Sequence, residues 1–128
     1  AFEMTAYEDF VTERVQADVA IARLAAIGEA VRSGIDTAFR RHGVPGRTVG
    51  LGSLLKIHFA DRAIRDYRSA WLTEEEAKRQ AVFNRGLLNR GVLAAGYGLM
   101  ALSTPMTDAD IDAIIEAASG ALAEVAAL

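Results

Sequence analysis

Two rhythms of apolar and polar residues run along the chain, and they predict different elements. Leu24, Ile27, Val31, Ile35 and Phe39 recur every three or four residues, the spacing of one helical face. Arg23, Glu29, Arg32 and Asp36 fill the opposite face. Upstream, Thr5-Ala6-Tyr7-Glu8 has the form of a capping box, in which the Thr5 hydroxyl accepts a free backbone N–H and Glu8 reaches back to the cap. A helix unbroken from Tyr7 to Arg41 would be about 50 Å long, more than a small domain spans. Either it breaks, near Gly28, or its first half lies against something else. Gly43, Pro45 and Gly46 end it, as residues that cannot continue a helix do.

The second rhythm is alternation. Leu55, Ile57 and Phe59 fall on one side of an extended segment, with Lys56 and His58 on the other, the pattern of a strand with one buried face. Asp61 to Trp71 is polar and irregular, a connection too long for a hairpin turn. Thr73 and Glu76 then form a second capping box, and Glu74-Glu75-Glu76 suits the positive end of a helix. Ala77, Ala81, Leu87 and Leu88 are expected on its inner side, and Gly91 stops it. Two short strands, Val92 to Ala95 and Leu99 to Leu102, flank Gly96-Tyr97-Gly98, which reads as the turn of an antiparallel hairpin. Thr107 caps a last helix with Asp110 in the box position, and Ile111, Ile114, Ile115, Ala118, Leu122 and Val125 make its apolar face. The sequence of elements predicts an α+β fold: a small, mainly antiparallel three-stranded sheet covered by helices, with a long N-terminal helical segment.

Composition narrows the function classes. With 52% hydrophobic and 24% charged residues over 128 positions, the chain is one folded domain rather than a disordered segment. A formal charge of -3 supplies no broad cationic field for nucleic acid. The absence of cysteine removes disulfides and thiolate chemistry. No apolar run has the length of a membrane span. Glu3, Glu8, Asp9 and Glu13 are unlike the basic start of a secretory signal, so a cytoplasmic chain is expected. Ala1 is compatible with removal of an initiator methionine or with cleavage from a longer chain.

Several segments in order carry a resemblance. Arg23 to Pro45 (RLAAIGEAVRSGIDTAFRRHGVP), Gly52 to Asp61 (GSLLKIHFAD), Asp66 to Trp71 (DYRSAW), Leu87 to Ala95 (LLNRGVLAA) and Ala101 to Leu122 (ALSTPMTDADIDAIIEAASGAL) are together similar to the C-terminal small domain of class III pyridoxal-phosphate aminotransferases, above all those like glutamate-1-semialdehyde 2,1-aminomutase. The resemblance divides the chain into an N-terminal helical extension, 1–23, and the small domain, 24–128. It implies pyridoxal phosphate in the full-length enzyme, held by a lysine in a large domain that also carries the phosphate cradle and the aspartate facing the pyridine nitrogen. It implies no catalytic, cofactor-binding or metal residue in this chain alone. It also implies the missing large domain as partner, and a homodimer. The small domain of such enzymes closes one side of the substrate cleft. Where the aminomutases commonly carry Pro-Ser and then aromatic-Glu-Ala, this chain has Ala95-Gly96-Tyr97-Gly98-Leu99-Met100. Without that carboxylate, a related aminotransferase fits as well as an aminomutase.

Lys56 and Lys78, the two lysines, read as surface residues rather than cofactor anchors, because neither has a glycine-rich phosphate cup or a pyridine-pairing acid near it in sequence. His42 and His58 are not spaced as a metal pair, and His58 is expected at the surface, with a polar interface role as the alternative. Asp61, Arg62, Arg65, Asp66 and Arg68 read as a solvated loop of alternating sign. Gly50-x-Gly52 is misplaced for a nucleotide loop, since a helix precedes rather than follows it. The resemblance brings Gly96, Tyr97 and Gly98 near the cleft, which makes them the candidate substrate-facing or domain-facing residues. The alternative function is a free-standing protein-interaction domain that uses the alanine-rich first helix as its contact.

Overall fold

The computed structural model describes residues 17–128; the Thr5–Glu8 capping box lies outside the described residues. Six elements follow one another: α1 (Ala17–His42), β1 (Arg47–Leu51), β2 (Leu54–His58), α2 (Glu74–Asn89), β3 (Leu99–Ala101) and α3 (Asp108–Ala126). The fold is α+β. Its sheet has the order β1-β2-β3 with both pairs antiparallel.

No break occurs at Gly28; α1 continues straight through it. The glycine serves a contact instead. A methyl group there would overlap the carbonyl oxygen of Gly52, so the helix can lie against the tip of the β1–β2 hairpin only because position 28 has no side chain. Arg32, one turn on, donates from Nη1 to that same Gly52 carbonyl at 3.2 Å. Asp36 secures β1 by accepting from the Thr48 N–H at 2.7 Å and the Thr48 hydroxyl at 2.9 Å.

Sheet membership differs from the sequence expectation. No strand is expected over Arg47–Leu51, yet β1 pairs along its length with β2, from Arg47 opposite His58 to Leu51 opposite Leu54. Gly50-x-Gly52 is therefore the end of a hairpin, and Gly52, at φ +58°, takes the left-handed position that a two-residue hairpin loop requires. In turn, Val92–Ala95 is not a strand. Val92 still donates to the Leu87 carbonyl at the close of α2 (3.0 Å), and Ala95 accepts from Gly98 (2.8 Å) and donates to Leu99 (3.0 Å) in a tight turn. β3 finds its ladder with β2, Met100 opposite Leu55. Three strands were expected and three form, but the third is β1, on the far side of β2 from β3, rather than 92–95 beside β3.

All three helices lie on the side of the sheet to which Leu55, Ile57 and Met100 point, and α3 packs against both α1 and α2. The approach is close where side chains are small: a Cβ on Gly86 would meet that of Ala121 at 2.8 Å, and one on Gly34 would meet Ile115 at 2.6 Å. Phe39, Phe59 and Phe83 form a buried edge-to-face chain with successive ring centroids 5.4 Å apart, a geometry that aligns ring edges with ring faces. Ile27, Val31, Ile35, Ile111, Ile114, Ala118, Leu122 and Val125 complete the core, so the stripes read from α1 and α3 are its walls. On α2 the inner face is Gln80, Phe83 and Leu87; Ala77, Ala81 and Leu88 point outward, because the sheet edge lies on the Phe83 side. Thr73 and Thr107 both form the expected capping boxes, with Glu76 and Asp110.

The Gly28 contact fixes the sign of a substitution. In a solvated helix interior Gly→Ala stabilises by about 1 kcal/mol. Gly28→Ala is expected to destabilise by about 1–3 kcal/mol, because the hairpin must move off α1; urea unfolding measures it, and a gain in stability would contradict the contact.

Candidate functional site

The face of the sheet turned away from the helices is assembled by register. Arg47 stands opposite His58, Val49 opposite Lys56, and Lys56 opposite Leu99. At the end of this face the turn before β3 presents Tyr97, 60% exposed, with the Lys56 ammonium 5.7 Å from its ring centroid, within the reach of a cation–π contact. Two features of the sequence hold Tyr97 there. Gly98 is buried at φ +86°, where an added Cβ would lie 2.8 Å from the Ile57 carbonyl oxygen and 3.0 Å from Gln80 Oε1. Asn84 Nδ2 donates to the Gly96 carbonyl at 2.7 Å, and Gln80 orients Asn84 by donating to its Oδ1 at 3.0 Å. The turn is thus pinned to α2.

The second wall comes from residues 61–71. Arg62, expected as one of several solvated charges, organises this segment. Its Nε donates to the Ser69 carbonyl (2.8 Å), Nη2 to the Trp71 carbonyl (2.5 Å), and Nη1 and Nη2 to the two oxygens of Glu76 (2.5 and 3.1 Å). Glu76 also accepts from the Thr73 N–H at 3.0 Å, so one carboxylate closes the cap of α2 and anchors the loop. Its hydrogen bonds from Arg62 hold it below the ordinary glutamate range, against the opposing effect of burial. Asp66 accepts from the Ser69 N–H at 2.7 Å, and the Ser69 hydroxyl accepts from the backbone of Arg65 and Asp66. Hydrogen bonding from Ser69, its N–H first, holds the Asp66 carboxyl below the ordinary aspartate range. The segment ends on Trp71, which meets Tyr67 edge to face at 5.8 Å; both rings are largely exposed.

Between the walls is an open cavity of about 370 Å³ lined by Lys56, His58, Ala70, Trp71, Leu72, Ala77 and Tyr97. The structure therefore brings Lys56, His58 and Tyr97 together. Gly96 and Gly98 frame the Tyr97 turn, whereas Lys78 and His42 lie elsewhere; His42 Nε2 is 2.9 Å from the Ser119 hydroxyl. Sequence reasoning missed Trp71 and Leu72, although an apolar pair closing a polar loop was a visible signal. His58 is 4% exposed, which corrects the expectation of a surface histidine: the Arg62 loop covers a position that alternation alone would leave in water. Burial first, then repulsion from Lys56, Arg47 and Arg62, holds the imidazole below its usual range, so near neutral pH it is uncharged. Among the described residues, no group of three or more His, Asp or Glu side chains could hold a metal ion.

Comparison with known proteins places this architecture. No family model matches the chain. The β-phenylalanine transaminase of Variovorax paradoxus is 32% identical over 98 residues, 77% of this chain and 22% of that protein. A glutamate-1-semialdehyde 2,1-aminomutase of Desulfosudis oleivorans is 32% identical over 94 residues, 72% of this chain and 22% of that protein. The solved ω-transaminase of Sphaerobacter thermophilus superposes with a TM-score of 0.79 at 33% identity, over 82% of this chain and 24% of that one. These relatives are class III aminotransferases and aminomutases, and the chain is similar to a small-domain-sized part of them. It spans between a fifth and a quarter of the length of the relatives it matches.

Class III aminotransferases work with pyridoxal phosphate, and the residues beside Lys56 do not fit that group. The cavity lining has no carboxylate to face a pyridine nitrogen. The nearest helix start, that of α2, is occupied by its own Thr73–Glu76 cap and carries Glu74, Glu75 and Glu76, an arrangement that repels a phosphate.

His58 gives the site a signature in pH. An unfolded histidine takes up its proton near pH 6.5, while the folded one resists until lower pH; stability is present above about pH 6.5 and is lost as pH falls from there toward the folded value. Urea midpoints measured between about pH 7 and pH 5 are expected to decline, and His58→Gln is expected to flatten that interval. An equal slope in the variant would contradict the burial of a neutral ring.

Proposed function

We propose that the chain is the small domain, residues 24–128 with an extension at 1–23, of a pyridoxal-phosphate-dependent aminotransferase or aminomutase, and that it borders the substrate cleft without catalysing amine transfer alone. The observation that carries this reading is the combination of a TM-score of 0.79 at 33% identity with coverage of only 24% of the related ω-transaminase: the fold of one part is present, and most of the related molecule has no counterpart here. The cofactor, its lysine and its phosphate site belong in this reading to the large domain, which is the principal partner. A dimer accompanies it as a property of the family resemblance, and a cytoplasmic location as the expectation from composition.

Gly96, Tyr97 and Gly98 are the substrate-facing or domain-facing residues. What supports this is their build: a ring left mostly exposed on a turn that two side chains of α2 and a left-handed glycine hold rigid. Rigid support under an exposed aromatic is the arrangement of a contact residue, since ordering a ring that touches nothing brings no return.

The test joins this chain to the large-domain portion of a class III relative and compares the product with the chain alone. The joined polypeptide is expected to transfer amine with added pyridoxal phosphate, and the chain alone to transfer none. Tyr97→Ala in the joined form should raise KM roughly tenfold, a typical consequence of removing one apolar contact. Amine transfer by the unjoined chain, purified whole, would overturn the proposal.

A further inference from the structure

The cavity beside Tyr97 has a composition of its own. Trp71, the single tryptophan of the chain, and Tyr97 are two walls, and Ala70, Leu72 and Ala77 supply apolar surface between them. Trp71 is 66% and Tyr97 60% exposed, whereas the described phenylalanines Phe39, Phe59 and Phe83 are all buried. Among the described residues, the large rings left in water are thus gathered at one side of the fold, with Tyr67 edge to face against Trp71.

Among the described lining residues the charge is of one sign: Lys56 is in the lining, Arg47 stands opposite His58 in the ladder, and no carboxylate lines the space, Glu74, Glu75 and Glu76 standing outside it at the start of α2. Glu76, the acid fixed beneath the loop, is engaged by Arg62. The Lys56 ammonium has the Tyr97 ring as its neighbour and, among the described residues, no carboxylate ion-pair partner. A half-buried cation between aromatic surfaces, in a space of about 370 Å³, suits a small ligand that brings one negative charge and one flat apolar group.

We infer that the Trp71–Tyr97 cleft binds a monocarboxylate with an aromatic body, its carboxylate on the Lys56 ammonium and its ring between Trp71 and Tyr97. This rests on the reading of the Tyr97 turn as substrate-facing and gives it a substrate class: amino acids or keto acids with an aromatic side chain. Lys56 selects for the carboxylate, and the Arg62–Glu76 pair acts through Trp71 as a positioning element, because it fixes the carbonyl of the residue that forms the wall.

The chain carries its own reporter, since all tryptophan emission comes from Trp71. Titration with 3-phenylpropanoate, without pyridoxal phosphate, is expected to change that emission saturably in the millimolar range, the affinity typical of so few atoms. The uncharged 3-phenylpropan-1-ol should bind about fivefold more weakly, the upper end for a solvent-accessible ion pair. Lys56→Gln, a substitution on the helix-free face of β2, should bring acid and alcohol to equal affinity, and Lys56→Arg should restore the preference. Circular dichroism confirms that each variant is folded. The absence of a saturable change, or equal binding of acid and alcohol by the unaltered chain, would overturn the assignment. Because the titration needs neither cofactor nor large domain, its failure is distinct from failure of the joined polypeptide to transfer amine.

Discussion

One ion pair sets the geometry of the functional face. Arg62 grips both oxygens of Glu76 and two backbone carbonyls of its own loop, so an eleven-residue connection without regular structure has a defined path across β2. A bidentate guanidinium–carboxylate pair is directional as well as attractive. Here the direction matters most: Glu76 is itself held at the start of α2 by the Thr73 cap, and the loop inherits the rigidity of the helix. Burial of His58 and the placement of Trp71 both follow from that path. Without the pair, the outer side of β2 would be the ordinary solvated face of an antiparallel sheet.

What the sequence disclosed and what it hid divide along the range of the interactions. The stripes of α1 and α3, both capping boxes and the alternation of β2 depend on residues within a few positions of one another, and all are legible. β1 escaped because its signal is weak, with one buried residue, Thr48, in five and a glycine within it; it is a strand because Asp36, twelve residues upstream, bonds Thr48 and because β2 supplies a ladder. Val92–Ala95 shows the reverse. Its apolar run has the look of a strand, but Val92 is tied back to the Leu87 carbonyl at the end of α2, and only Ala95 bonds to Leu99 across the turn. Gly28 was noticed for the right chemistry and given the wrong consequence: a missing side chain can end a helix or let another backbone approach it, and only the position of Gly52 decides which.

The site follows the same division. Tyr97 was singled out because glycines bracket it and because of the family resemblance. Its neighbours Lys56 and His58 were recognised as sharing a strand face, but nothing local connects them to Trp71, which reaches the cavity through the Arg62 loop. A loop of alternating charges reads as solvated when each charge is counted separately. Once Arg62 meets Glu76 across fourteen positions of sequence, the same loop becomes a wall.

The uncovered face of the sheet bears on the proposal that this domain works within a larger enzyme. Leu51 is 87% exposed, Leu54 51% and Val49 37%, and register sets Leu51 opposite Leu54 and Leu54 opposite Ala101. A sheet face meant for water carries polar residues at these positions. The helices have satisfied one side through Leu55, Ile57 and Met100, and the other retains an apolar row beside the aromatic cavity. In the proposed enzyme the two features have complementary uses, the row to lean against the larger domain and the cavity to meet the substrate at its margin. A domain that holds no cofactor still influences chemistry in this way, because the surface it brings to the cleft determines which substrates are held there and how much water is kept out.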